Sequence, residues 1–341
     1  MKVVCVRPEG RGWDTVDLFA ALAADLLDAR LVVRVADRIP SRAGQVGALL
    51  PRRRDKEPCL LVAAQPGHLQ TMAELGTWRH SYSEVAAYVI DSFWDERIPF
   101  VARSRHLVDH YFVTDGELVG SWRRRTGTPT TFLPFGSDVL RRGSARSDRP
   151  VDVQRMGRQP GSWDDDTATH LAAARVGLEH RGRPPFVDGD AGANQRSVMD
   201  AMAAAKYTLS FSNVVSPATY THPTREYLTG RWTDALASGA VVAGIAPRCE
   251  AAEAVLWPGA TLDLGTTDRA AGLAVLREAA SEWTPRQAQL THARALERVD
   301  WRWRLKEITR TMGWYAPRLE AELDQLRARV AGLQEAGPAS T

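Results

Sequence analysis

The stretch Thr221–Pro247, THPTREYLTGRWTDALASGAVVAGIAP, decides how the chain is read. Its opening, Thr221-His222-Pro223-Thr224-Arg225, is polar and carries a proline, which suits a loop. From Leu228 the apolar residues Leu228, Trp232, Ala235 and Leu236 recur at helical spacing. Gly239 stands where a glycine closes a helix in the left-handed conformation. Val241 to Ile245 is a short apolar run of the kind buried in a parallel sheet. The pattern predicts loop, helix, glycine and strand, with Glu226 at the helix mouth and Asp234 inside its early turns. Backbone N–H groups at such a mouth attract a diphosphate. An acid about two turns further on accepts hydrogen bonds from sugar or ribose hydroxyls. An ordinary αβ unit with two solvated acids has the same spacing, so the residues alone leave both readings open.

Composition bounds the rest. A chain of 341 residues favours two domains at roughly 100–200 residues each. With 44% hydrophobic and 25% charged residues it reads as an ordinary soluble globular protein. No run approaches the roughly 18 apolar residues of a membrane helix, and Val3-Val4-Cys5-Val6 is too short for a signal-peptide core. Cys5, Cys59 and Cys249 are too few and too scattered for a disulfide framework or a metal cluster. The expected location is cytoplasmic, with at most peripheral membrane contact. Net charge is +3, and the basic runs Arg52-Arg53-Arg54 and Arg123-Arg124-Arg125 are offset by acids elsewhere. They read as solvated surface rather than a nucleic-acid footprint.

Taken in order, Met1–Val6 reads as a strand, Pro8-Glu9-Gly10-Arg11-Gly12 as a loop and Thr15–Ala29 as an amphipathic helix. Leu31–Val35, Cys59–Ala64, Val85–Ile90, His110–Thr114 and Thr130–Leu133 read as further strands. Strands alternating with helical stretches point to a parallel, doubly wound sheet. Ligands of such sheets sit at the carboxyl ends of strands, which places the Gly10 loop, His68 and Asp91 on one rim. Arg141–Pro150 is polar and apolar-poor and reads as a linker. The expected domains are therefore 1–140, a linker at 141–150, 151–316, and a closing helix at 317–336. In that helix Leu319, Leu323, Leu326, Val330 and Leu333 form a seam of a and d positions, suiting either a helix docked on the body or a homodimer contact.

Several of these segments resemble the retaining GT-B glycosyltransferases of group 1, close to the spore-protein-like branch. Glu226, seven residues, and the run Asp234-Ala235-Leu236-Ala237-Ser238-Gly239 are similar to the nucleotide-sugar signature of two glutamates, with Asp in the second place. Arg231-Trp232-Thr233-Asp234 resembles the Arg-x-x-Glu of that branch. Met156-Gly157-Arg158 looks like the Gly-Arg after the first donor-domain strand, although the lysine that usually follows is missing. Pro134-Phe135-Gly136-Ser137-Asp138 and Val299-Asp300-Trp301-Arg302-Trp303 resemble the turn that closes the first domain and the stretch that heads the returning helix.

The resemblance implies an α/β GT-B fold: two Rossmann-like doubly wound domains facing a central cleft, the acceptor held by the first and the donor by the second. It implies transfer of a sugar from a nucleoside-diphosphate sugar to a small-molecule or glycan acceptor, with retention and with no cofactor or metal. Donor-binding roles fall on Gly157, Arg158, His222, Thr224, Arg225, Tyr227, Leu228, Thr229, Arg231 and Asp234, with Arg231 or Arg225 taking the place of the lysine. Glu226 would bind donor-sugar hydroxyls and Asp234 the ribose. His68 and Asp91 are the acceptor-side candidates. An inverting transferase or nucleotide-sugar epimerase would share the fold but need a base, and a binding module would keep the fold without chemistry. Asp188-Gly189-Asp190 has the form of a metal-binding Asp-x-Asp but reads as a turn. Ser162 or Asp164 is expected to cap the helix that follows.

Overall fold

The computed structural model describes residues 1–10, 12–36, 41–48, 56–74, 78, 82–104 and 106–335. Arg11, the run Arg52–Arg54 and the tail Gly337–Thr341 lie outside the described residues. The chain forms two compact units. Unit 1 is Met1–Pro134 with Arg304–Ala321, and unit 2 is Phe135–Trp303 with the chain from Glu322 onward.

Unit 1 is built on β1 (Lys2–Arg7), β2 (Arg30–Val35), β3 (Glu57–Ala63), β4 (Tyr82–Val89), β5 (His110–Val113) and β6 (Thr130–Phe132). All neighbours are parallel, in the order β2-β1-β3-β4-β5-β6. Unbroken apolar runs make this possible, because a parallel sheet is covered on both faces. Val4, Val6, Leu61, Ala63, Val85 and Ala87 share one core with Met72, Trp78 and Trp122. The alternate residues Val3, Cys5, Leu60 and Val62 are buried on the opposite face, where Phe19 of helix Asp14–Leu26 meets Tyr88 edge to face.

Unit 2 repeats the plan with β7 (Val151–Arg155), β8 (His180–Arg181), β9 (Ala205–Leu209), β10 (Val241–Gly244) and β11 (Thr261–Asp263). Its order is β11-β10-β9-β7-β8, again all parallel. In each sheet the first two strands run to one side and the third returns on the other. Strand order thus reverses at β1/β3 and at β7/β9, the places where doubly wound sheets bind ligands. The expected two-domain, Rossmann-like α/β organisation is present.

Helix Gly230–Ala237 is shorter than the pattern from Leu228 predicts, because Thr229 is extended and serves as its N-cap. Trp232, Ala235 and Leu236 enter the core of Val242, Met199 and Leu296, while Val241 and Ala243 point into a second core with Trp163 and Phe211. Gly239 takes the expected left-handed conformation, φ +74°, with the Ser144 carbonyl 2.7 Å from where a Cβ would stand.

The expected linker at 141–150 is packed into unit 2. Helix Val139–Arg142 begins the segment, and Arg149, almost wholly buried, donates to the carbonyls of Ala205 (2.6 Å), Ser238 (2.7 Å) and Met202 (3.3 Å). A guanidinium with its donors met by carbonyls is buried at modest cost, so polar composition concealed a structural segment. The closing helix is Pro317–Glu335. Its leucine seam is buried within the chain, with Leu326 and Val330 in the unit 2 core and Leu333 packed on it, as a helix docked on the body requires. Asp165, not Ser162 or Asp164, caps helix Asp166–Arg175 by accepting from the Ala168 N–H. Asp190 caps helix Ala191–Ala203 in the same way, from Ala193, and Gly189 turns the chain at φ +79°.

Arg302, 0% exposed, lies at the centre of unit 2's ionic network. Its Nη1 donates to Asp138 (2.9 Å) and Asp300 (2.9 Å), and its Nε to Glu322 (2.5 Å). Removing one partner of a buried ion set strands the others, at a cost of about 3–5 kcal/mol. Arg302→Met is expected to lower the urea midpoint by that equivalent, and an unchanged midpoint would show the network to be dispensable.

Candidate functional site

The carboxyl end of β7 runs into Met156-Gly157-Arg158-Gln159, beside the chain that continues β9 through Ser210–Ser216. These two stretches flank the β7/β9 reversal point. Gly157 has φ +69°, and a Cβ there would meet Arg231 Nη1 at 2.8 Å. Arg231 lies against this glycine, its Nε donating to Thr229 Oγ1 (3.0 Å) and its Nη1 to the Arg158 carbonyl (3.2 Å). Arg158 sends Nε to the Ser216 carbonyl (3.2 Å), and Arg183 sends Nη2 to the Gly157 carbonyl (3.2 Å).

Three guanidiniums therefore gather around one strand end, and among the described residues none of the three pairs with a carboxylate. Arg155, one turn of chain earlier, shows the contrast, being held by Asp164 and Asp166. Burial, and secondly the charge of Arg158, bring the Arg231 pKa down to about 10, so it remains a cation at neutral pH. A concentration of unpaired positive charge at a strand end suits a multiply charged anion. The same place holds buried polar atoms with no partner among the described residues: Gln159 Oε1 and the hydroxyls of Ser210, Ser212 and Ser216. Such atoms cost about 1–3 kcal/mol each unless water or a ligand meets them.

The loop 222–227 is fixed by Asn213, 1% exposed. Its Nδ2 donates to the carbonyls of His222 (3.2 Å) and Arg225 (2.8 Å), and its Oδ1 accepts from the Tyr227 N–H (3.2 Å). His222 is turned inward on the same loop, with Nδ1 accepting from the Thr224 and Arg225 N–H groups. Thr224 is exposed, Tyr227 is buried, and Leu228 packs on the core. Glu226 lies in this loop, four residues before the helix instead of at its mouth, half-buried and accepting from the Arg248 N–H at 3.2 Å. The side chain of Thr229 makes no cap bond, so the first N–H groups of helix Gly230–Ala237 have no side-chain acceptor from it.

Asp234 is 5% exposed, and both its oxygens are engaged: Ser137 Oγ donates to one at 2.6 Å and Gln195 Nε2 to the other at 3.0 Å. Burial raises its pKa to about 6 against the opposing effect of those two donors. This acid anchors the helix from below, one turn after Arg231, and does not present a free carboxylate for a ribose.

In unit 1, His68 and Asp91 sit at the carboxyl ends of β3 and β4. His68 Nδ1 accepts from the Gln65 N–H (3.2 Å) in a reciprocal cap of the short helix Pro66–Gln70, and the ring also bonds the Val6 backbone. Burial lowers its pKa to about 4, leaving a neutral, structurally engaged ring at neutral pH. Asp91 is half-buried, and its carboxyl is pushed up to about 7, first by burial and then by the charge of Asp115, against donation from Gln65. At that value the carboxyl exchanges its proton near neutrality.

No protein-family model and no curated protein matches this chain. The sequence alone singled out Gly157, Arg158 and Arg231, which the fold brings together. It did not single out Arg183, Asn213 or the serines, whose roles come from chain segments far apart in sequence.

Because folding raises the Asp234 pKa from 3.8 to about 6, the folded state holds its proton more tightly than the unfolded chain. The stability this gives is full below about pH 4 and is lost as pH rises through 6. Asp234→Asn is expected to flatten that part of the pH dependence of the melting temperature, and a curve parallel to wild type would overturn the assignment. Asn213→Ala, which removes three side-chain hydrogen bonds to the loop backbone, is expected to cost about 1–3 kcal/mol and to speed hydrogen exchange in 222–227.

Proposed function

We propose that the chain is a GT-B-type glycosyltransferase whose second unit binds a nucleoside-diphosphate sugar at the β7/β9 reversal point. The observation that carries this reading is the convergence of Arg158, Arg183 and Arg231, which have no carboxylate partner among the described residues, on the positive-φ turn at Gly157. In it, Arg231 takes the part of the missing lysine. The guanidiniums and the N–H groups at the start of helix Gly230–Ala237 hold the diphosphate and stabilise the charge that develops as it departs. Glu226, on the loop held by Asn213, reaches the donor-sugar hydroxyls. Transfer with retention follows from the resemblance of Glu226 and the Arg231–Gly239 run to group 1 enzymes. The departing diphosphate then assists the acceptor hydroxyl, and the protein positions both partners. Asp91, at the carboxyl end of β4, is the acceptor-side candidate of the proposal.

A second reading, a nucleotide-binding protein without transfer, draws support from Asp234, whose oxygens are both bonded within the chain. Release of free sugar from a donor in the absence of acceptor favours the transferase, whereas tight binding without any turnover favours the binding protein.

A thermal-shift panel of UDP-, GDP-, ADP- and dTDP-sugars tests the site. A ligand at a hundredfold over its dissociation constant adds about 2.7 kcal/mol, or a few degrees for a chain of this size. One nucleotide class is expected to stabilise wild type, with the shift abolished in Arg231→Ala. The sugar-dependent part alone is expected to disappear in Glu226→Ala. A wild type unmoved by every nucleotide at millimolar concentration would remove the donor-site reading.

A further inference from the structure

The turn that follows Ser216 carries Tyr220, a large side chain left 67% exposed. Thr221, almost fully buried, ties the turn shut: its N–H donates to the Ala218 carbonyl (3.0 Å), and its hydroxyl both accepts from the Ala218 N–H (3.0 Å) and donates to the Ala218 carbonyl (2.8 Å). Thr221 is thus turned inward, and Tyr220 beside it is turned to solvent. One face of the Tyr220 ring meets the Arg158 guanidinium, 4.9 Å from the ring centroid. Arg158 in turn is held by the Ser216 carbonyl, at the start of the same turn. An aromatic face and an anion-seeking cation are thereby presented side by side, on a turn that requires no ordering when a ligand arrives.

We propose that Tyr220 is the stacking platform for the nucleobase of the ligand, so that this corner of unit 2 selects a nucleoside diphosphate over a bare diphosphate. The inference rests on the donor-site reading above and adds to it the element that recognises a ring. Phosphates go to Arg158, Arg183 and Arg231, and the base lies against Tyr220. Stacking is tolerant of base identity because every base offers a π face, so Tyr220 supplies affinity and does not choose among bases.

Isothermal titration of the full chain with UDP, GDP, ADP, dTDP and inorganic pyrophosphate separates the two ideas. Wild type is expected to bind at least one nucleoside diphosphate more tightly than pyrophosphate. In Tyr220→Ala that preference should shrink by about fivefold or more, with pyrophosphate affinity unchanged. Tyr220→Trp should restore it, and Arg231→Ala should weaken both classes of ligand. The ligand-free melting temperature of Tyr220→Ala should match wild type, since the ring contributes to no core. If Tyr220→Ala keeps the wild-type preference, or wild type binds pyrophosphate as tightly as every nucleotide, the platform is refuted while the anion site stands. If wild type binds none of them, the donor-site reading fails and the platform with it.

Discussion

The four residues Phe135-Gly136-Ser137-Asp138 hold unit 2 together at the point where its chain begins. Ser137 forms a parallel bridge with Asp300, its N–H donating to the Val299 carbonyl and its carbonyl accepting from the Trp301 N–H. Its hydroxyl reaches Asp234 on helix Gly230–Ala237, while Asp138 meets the buried Arg302. Gly136 lets the backbones come this close, since a Cβ there would stand 2.1 Å from the Val299 carbonyl oxygen, and its own carbonyl accepts from Thr233. Groups buried this deeply must find partners inside the protein. Their mutual satisfaction joins three segments far apart in sequence and sets the helix that carries Arg231.

From that anchor the candidate site follows by short steps. Asp234 fixes the helix from below, and Arg231, one turn earlier, is thereby placed against Gly157. The glycine's left-handed conformation turns the chain after β7 so that Arg158 lies beside the Ser216 turn. Asn213 then holds the loop bearing Glu226 with three hydrogen bonds. Hydrogen-bonded groups form the support, and the positive charge is left at the strand end. Preorganised charge of this kind is what binding or transfer of a diphosphate demands.

The two acids of the opening stretch divide in a way their spacing does not reveal. Glu226 lies on a loop and has one hydrogen bond to a backbone N–H. Asp234 lies under the helix, and both its oxygens are engaged. Being one methylene shorter than glutamate, it fits between Ser137 and Gln195, partners 97 and 39 residues away. The histidine at 68 shows the same effect in unit 1: its place at a strand end suggested chemistry, yet its Nδ1 caps a short helix.

Much of the fold was legible because it depends on local pattern. Unbroken apolar runs such as Val3–Val6 and Leu60–Ala64 require a sheet covered on both faces. The stripe of Trp232, Ala235 and Leu236, closed by Gly239, requires a helix packed on such a sheet. These are properties of near neighbours, and the chain alone determines them. The tertiary structure decided which polar residues became structure and which were left for a ligand. Arg149 and Arg302 look no different in sequence from Arg158 and Arg231. The first two have carbonyls or carboxylates brought to them by distant segments, and among the described residues the second pair has no carboxylate brought within reach. A charged side chain's role is set by the partners that arrive around it, and those partners are assembled only when the chain has folded.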